Sequence, residues 1–147
     1  METTLPLQPR DLLLQEQVSG SQIQHVLAPI GFKDWQQAYQ RLRRIPDTPQ
    51  ARLALADCLP YLLMALSNAA HPDRVLVSFE RFIQNTSDQV DQLRYLAANP
   101  RTIEMLVILF AGSQFLTEIL LRHPEYFEPI TGRRHLAELK RLHPEKF

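Results

Sequence analysis

The sequence has little glycine, a single cysteine and no long apolar run. These shortages argue against a β-sheet protein, an internal disulfide and a membrane-spanning helix, respectively. Only four of its 147 residues are glycine, and no window shows sustained alternation of apolar and polar residues, so we predict no sheet. Cys58 has no second cysteine to pair with, and a buried apolar thiol is its favoured interpretation. The longest apolar run, residues 105–111, is far below the roughly 20 residues that span a bilayer.

Neither sign of charge is in excess. The chain has 16 Lys and Arg against 16 Asp and Glu, which argues against a nucleic-acid partner, because such proteins carry a basic excess or stripe. The first residues lack a basic segment followed by a long apolar core, so no secretory signal is predicted. The sequence therefore predicts a cytoplasmic location and no membrane partner.

Proline is frequent, with 11 residues, and it stands where helices are expected to begin. Pro49, Pro72, Pro100, Pro124 and Pro144 each follow a residue of the kind found before a helix. Proline suits the first helical turn, where no backbone N–H partner is needed. Together with apolar stripes at helical spacing, these starts predict an all-α, irregular bundle of about seven to nine helices.

The predicted helices can be placed along the chain. They cover residues 9–18, 21–28, 35–44, 49–70, 72–84, 101–111 and 133–142, with further helices after Ser87, Ser113 and Pro124. Ser87, Asn99 and Ser113 are expected to cap helices with their side-chain oxygens, and Gly112 is expected to end a helix in the left-handed conformation.

Two helices carry more specific expectations. Pro60 lies inside the range 49–70, and its missing N–H predicts a kink or split near Leu59. Residues 105–110 are apolar on every side of their helix, so we expect that helix at the centre of the bundle. The predicted core comprises Phe79, Phe82, Ile103, Leu106, Phe110, Phe115, Leu116 and Ile119.

Two regions are predicted along the chain. Residues 1–30 are expected to form an N-terminal helical extension, with its mobility left open, and residues 31–147 the bundle. Residues 143–147 have the pattern of another helix start, so we predict that the bundle is the N-terminal part of a longer chain; a frayed tail is the alternative.

The C-terminal part also predicts a candidate interaction surface. An exposed apolar patch is expected at Phe127, Ile130, Leu136 and Leu139, and such a patch favours self-association. The alternative is that these side chains fold back onto the bundle.

No catalytic, cofactor-binding or metal-binding residue is predicted. The five histidines form no i, i+3 or i, i+4 pair, and no zinc spacing or glycine-rich phosphate loop is present. The acid pairs Asp88/Asp91 and Glu125/Glu128 stand in first helical turns, where helix capping is favoured over acid–base catalysis. Charged residues that flank apolar helices, namely Arg94, Arg101, Glu118 and Arg122, are interpreted as a solvated face, with a docking role as the alternative.

Four short motifs carry a resemblance to a known family. They are the histidine-proline-aspartate step at 71–73, the run SFER at 78–81, the segment LFAGS at 109–113 and the RHPE corner at 122–125. In this order and spacing they resemble the helical N-terminal region of glutamine synthetase adenylyltransferase, over about residues 31–131. Ser78 replaces the family's asparagine, and Gly112 is displaced by one position.

The resemblance implies a function that composition does not. The family attaches AMP to a tyrosine of glutamine synthetase, and many members also remove it; ATP and magnesium are implied for that parent enzyme. Its active sites lie in later domains with a Gly-Ser motif and paired aspartates, which this sequence lacks. The resemblance thus implies a noncatalytic scaffold for the transferase domain that follows, with glutamine synthetase as a further candidate partner. The alternative is a free-standing helical interaction module.

Overall fold

Eight α-helices make up the described part of the chain, which in this computed structural model comprises residues 8–127, 141–142 and 144–146. The helices are α1 (Asp11–Leu14), α2 (Gly20–Leu27), α3 (Trp35–Arg44), α4 (Pro49–Ser67), α5 (Pro72–Asn85), α6 (Gln89–Ala98), α7 (Pro100–Gly112) and α8 (Gln114–Arg122). Short 3₁₀ turns occupy Ala28–Ile30, Pro124–Phe127 and Pro144–Lys146. No strand occurs in these ranges, so the predicted all-α bundle is confirmed.

Side-chain caps fix several helix starts. Asp34, Thr48 and Ser113 each accept a hydrogen bond from a backbone N–H in the first turn of the helix that follows, which satisfies a donor that the helix leaves unpaired. At the start of α6 the cap is Asp88 and not the predicted Ser87. Asp88 Oδ1 accepts from the N–H of Asp91 at 3.0 Å.

The two ends of α7 differ from the prediction. Asn99 does not cap α7; its Nδ2 donates to the carbonyl of Tyr95 at 2.9 Å and so closes the end of α6. Gly112 is not left-handed, because the one described residue with positive φ is Gly31. Extended Ser113 separates α7 from α8: its N–H donates to Leu109, and its Oγ accepts from Leu116.

The central helix is α4, and the predicted split at Pro60 does not occur, whereas a kink there stays a prediction. α4 runs unbroken for 19 residues and contacts α1, α5, α6 and α7. Pro60 removes one backbone donor, but ten buried side chains on either side of it hold the helix in place. The predicted centre, α7, reaches the surface at Ile108, which is 69% exposed.

No single described helix is long and apolar enough to cross a membrane. α7 and α8 reach that composition only when taken together, and they are bent by 119° at their junction.

The predicted core residues lie mostly inside the bundle. Phe79, Phe82, Ile103, Leu106, Phe110 and Leu116 are buried. Phe115 is 39% exposed and Ile119 is half-buried, whereas Leu116, Thr117 and Leu120 face inward. The inward face of α8 is therefore rotated by about one residue from the predicted stripe, because the bend at Ser113 sets the direction in which α8 leaves α7.

The described part of the predicted N-terminal extension packs into the same core. Leu12 and Leu13 are buried, and α1 contacts α3 and α4. Arg43 Nη1 donates to the carbonyls of Leu12 and Gln15, which joins the end of α1 to α3. The hydrophobic core therefore includes residues of α1 and α2.

Candidate functional site

The polar side chains that sequence patterns singled out stabilise helix ends. His123 Nδ1 lies 3.1 Å from Glu125 Oε1, and its ring stacks on Tyr126. Asp88 caps α6, and Glu128 lies outside the described residues. Within the described ranges, no group of three or more His, Cys, Asp or Glu side chains is arranged to hold a metal ion. These residues do not fit the magnesium implied for the parent family, and no chemical step is assigned to them.

Cys58 is buried between α4 and α6, and its Sγ donates to the carbonyl of Leu93 at 3.1 Å. Burial, with a further contribution from the negative charge of Asp57, raises the pKa of the Cys58 thiol to about 12. Because the thiolate is the nucleophilic form, Cys58 is inert at neutral pH and serves as a core residue.

Glu80, in the SFER run, forms the main buried polar cluster. It is 4% exposed, and its carboxylate accepts from Arg41 Nη1 at 2.8 Å, Arg44 Nε at 2.9 Å and Gln84 Nε2 at 3.3 Å. Burial alone would raise the pKa of Glu80, but hydrogen bonds and charge from Arg44 and Arg41 outweigh it and lower that pKa below its usual value. The cluster joins α5 to α3.

Other motif residues also serve the fold. Asp73 Oδ2 accepts from the N–H of Lys33 at 2.9 Å, which fixes the turn before α3. Ser113 caps α8, and Pro124 is buried. The motifs that carry the family resemblance therefore hold this bundle together. The partners of Glu80 are not among the residues predicted from the sequence, although an acid on the apolar face of α5, between Leu76 and Ile83, indicates a buried ion pair.

The sequence predicts an exposed surface at Phe127, Ile130, Leu136 and Leu139, but Phe127 is buried and does not belong to it. Phe127 is 2% exposed, its ring packs edge-on against Phe82 at 6.1 Å, and its carbonyl accepts from Gln92 Nε2 at 3.2 Å. Aromatic contact and a buried hydrogen bond hold it in the core. Ile130, Leu136 and Leu139 lie outside the described residues.

A different apolar face is exposed, on the central helix. Leu53, Asp57, Tyr61 and Met64, which we call the α4 stripe, follow one another at intervals of four, four and three residues and share one side of α4. Leu53 is 56% exposed, Tyr61 45% and Met64 68%. Since α4 rises about 1.5 Å per residue, the stripe is about 16 Å long.

A groove of about 480 Å³ runs beside the stripe, between α4 and α6. Its lining includes Pro60, Tyr61, Arg94, Ala97 and Ala98. At one end Arg10 and Asp57 form an exposed ion pair at 3.0 Å. Arg94 therefore does belong to a surface feature, whereas Arg101, Glu118 and Arg122 are exposed residues outside this groove.

A smaller groove of about 250 Å³ lies between α3 and α5. Its lining includes Arg41 and Asp73, which already bind Glu80 and the Lys33 N–H. The α4 stripe and its groove are the better candidate for an interaction surface, because large exposed apolar side chains lie beside that groove and none lines the smaller one.

Comparison with known proteins shows that the chain is similar to part of several bacterial enzymes. The bifunctional glutamine synthetase adenylyltransferase/adenylyl-removing enzyme of Thioalkalivibrio sulfidiphilus is 28% identical over 125 residues, 80% of this chain and 13% of the relative. Those of Bartonella quintana and Idiomarina loihiensis are each 29% identical, over 93 and 100 residues, 63% and 68% of this chain. No protein-family model and no solved structure matches the chain.

The chain spans about a tenth of the length of these curated relatives. The resemblance that the motifs at 71–73, 78–81, 109–113 and 122–125 predict is confirmed, and the chain is homologous to a segment of bifunctional glutamine synthetase adenylyltransferase/adenylyl-removing enzymes.

Proposed function

We propose that this chain acts as a noncatalytic helical scaffold in a glutamine synthetase adenylyltransferase. In this role it braces the transferase domain, which binds ATP and magnesium and transfers AMP to a tyrosine of glutamine synthetase or removes it. The observation that carries the proposal is the homology itself, which extends over 80% of this chain but only 13% of the Thioalkalivibrio sulfidiphilus relative.

The residues of the chain support a scaffold role over a catalytic one. Its polar motif residues are engaged in helix caps and in the Glu80 cluster, and its thiol is buried with a raised pKa. A bundle stabilised by such contacts exposes helix faces against which another domain can pack. Glutamine synthetase remains a candidate partner, reached through the assembled enzyme, and the cytoplasmic location stays a prediction.

A chimera tests the proposal in a complete enzyme. The 125-residue matched region of the Thioalkalivibrio sulfidiphilus relative is replaced by the corresponding part of this chain, and AMP transfer to glutamine synthetase is measured with labelled ATP. We expect activity in the chimera, loss of activity when the region is deleted, and no transfer by this chain alone. Full activity after deletion would contradict a scaffold role, and AMP transfer by this chain alone would contradict a noncatalytic one.

The second candidate function is a free-standing helical interaction module. The closure of the core at Phe127, by Phe82 and Gln92, favours it, because this closure needs no contact from another domain. Such a module would bind its partner through the same exposed helix faces. The chimera separates the two candidates, since an independent module has no reason to support AMP transfer in place of the matched region.

A further inference from the structure

We propose that the α4 stripe and its groove are the docking site for one amphipathic helix of the adenylyltransferase, with an acidic residue of that helix paired to Arg94. This inference rests on the proposed scaffold function, and it names the contact surface and the chemistry of the partner. The partner helix belongs to the nine tenths of the relatives' length that this chain does not cover.

The first argument is the position of the exposed apolar side chains. Leu53, Tyr61 and Met64 are large, exposed and lie on one side of the helix that occupies the centre of the bundle. Spacings of four and three residues are those with which one helix meets another. Ten of the other residues of α4 are buried against the bundle, so this stripe holds the large apolar side chains that α4 leaves available to a partner.

The second argument is the shape of the groove. Ala97 and Ala98 form its α6 side and Pro60 part of its α4 side, and these short side chains allow the backbone of another helix to approach closely. Tyr61 stands at the edge of the groove with an apolar ring and a polar hydroxyl, which suits a surface that is alternately wet and covered.

The third argument is charge. The groove is lined by two cations, Arg10 and Arg94, and by one anion, Asp57. Arg10 pairs with Asp57 at 3.0 Å, which leaves Arg94 as the charge available to a partner. Its guanidinium presents several donors in a plane, the geometry that matches a carboxylate. An acid on the partner helix complements this groove, and a base there is repelled.

Thiol protection in the chimera described above tests the docking site. Met64→Cys places an accessible thiol on the stripe, and Ile108→Cys places one at an equally exposed position on α7 as the matched control. Alkylation of each peptide is followed by mass spectrometry, with buried Cys58 as the unreactive reference. We expect the thiol at position 64 to react in the isolated chain and to be protected in the chimera, while the thiol at position 108 reacts in both.

The outcomes distinguish the two proposals. An active chimera in which the thiol at position 64 reacts as fast as in the isolated chain overturns the docking site and leaves the scaffold function intact. Full activity of the deletion variant overturns the scaffold function by a separate measurement.

A peptide scan provides the second test and does not depend on the chimera folding. The isolated chain is applied to overlapping 20-residue peptides that cover the Thioalkalivibrio sulfidiphilus relative. We expect binding to peptides with helical apolar spacing and an acid, loss of binding with Tyr61→Ser, and a shift toward basic peptides with Arg94→Glu. Ile108→Ser should bind as the unsubstituted chain does. Binding that neither groove variant alters, or no binding to any peptide, overturns the docking site.

Discussion

Arg41 and Glu80 are 39 positions apart in the chain, yet Nη1 of Arg41 lies 2.8 Å from Oε1 of Glu80, where the glutamate side chain is only 6% exposed. Arg44 binds the other carboxylate oxygen at 2.9 Å. One acid thus receives two of the three arginines of α3, and the register between α3 and α5 is set by charge as well as by apolar packing. Glu80 is the buried charged residue that links these two helices.

Replacing Glu80 by glutamine should destabilise the fold. The amide removes the negative charge but leaves Arg41, whose side chain is 23% exposed, without its ionic partner. Loss of one partner of a buried charged hydrogen bond typically costs about 1–3 kcal/mol. Urea denaturation at neutral pH measures the change, and Arg41→Met with the double variant completes a cycle. Additive single effects would mean that the two side chains do not interact energetically.

Acid should reduce the contribution of Glu80 to stability. The arginines lower the pKa of Glu80 in the folded chain below the reference value of 4.5. Its contribution is therefore fully present above about pH 4.5 and is lost as the pH falls through the folded-state pKa. The difference in unfolding free energy between the unsubstituted chain and Glu80→Gln should shrink between pH 7 and pH 3. A gap that stays constant over this range would contradict the assignment.

Phe110 and Phe115 should respond very differently to truncation. Phe110 is 5% exposed and its ring lies 6.0 Å from that of Phe82, whereas Phe115 is 39% exposed. We expect Phe110→Ala to cost about 3–5 kcal/mol, as for a buried phenylalanine, and Phe115→Ala to cost about 1–2 kcal/mol, because its side chain is only partly buried. Thermal and urea unfolding of both variants decide this, and similar losses would show that α8 packs with its other face inward.

Helix positions follow from local chemistry, which is why the sequence predicts them well. Thr48, Asp34 and Ser113 stand immediately before apolar periodic segments, and each caps the helix that follows. Asn99 is the exception, because it lies between α6 and α7 and its side chain closes only α6, by donating to the carbonyl of Tyr95. It therefore does not cap α7. A local sequence pattern does not show which of two adjoining helices receives the hydrogen bond of the residue between them.

Which faces become buried depends on how the helices cross, and this is harder to predict. Residues 105–110 are apolar on all sides, yet Ile108 faces solvent, as Met64 does on α4, the helix that contacts most of the others. Likewise, the helical pattern of α4 does not show that Leu53, Tyr61 and Met64 share the side that other helices leave uncovered. The exposed stripe is a property of the assembled bundle, and only the structure identifies it.

Gln92 should be required to hold the end of the described bundle in place. Its buried Nε2 donates to the carbonyl of Phe127 at 3.2 Å, and Gln92→Leu leaves that carbonyl without this donor. We expect a loss of about 1–3 kcal/mol in unfolding free energy. Amide hydrogen exchange should show faster exchange at residues 125–127 with little change in α1. Uniform protection in both regions would mean that the hydrogen bond does not anchor this corner.

Replacing Pro60 by alanine should stabilise α4. Proline inside a helix removes a donor to the carbonyl four residues earlier and typically costs about 3 kcal/mol, yet α4 runs through Pro60 without a break. Alanine restores the donor and changes neither the apolar character nor the neighbours of the position, so we expect a gain of roughly 1–2 kcal/mol in unfolding free energy, because α4 is already adapted to the proline. Pro49→Ala is the matched control, because an N–H in the first helical turn has no partner within the helix. This substitution should give no comparable gain in unfolding free energy. A loss of stability with Pro60→Ala would show that the proline ring contributes packing in the groove that outweighs the recovered hydrogen bond.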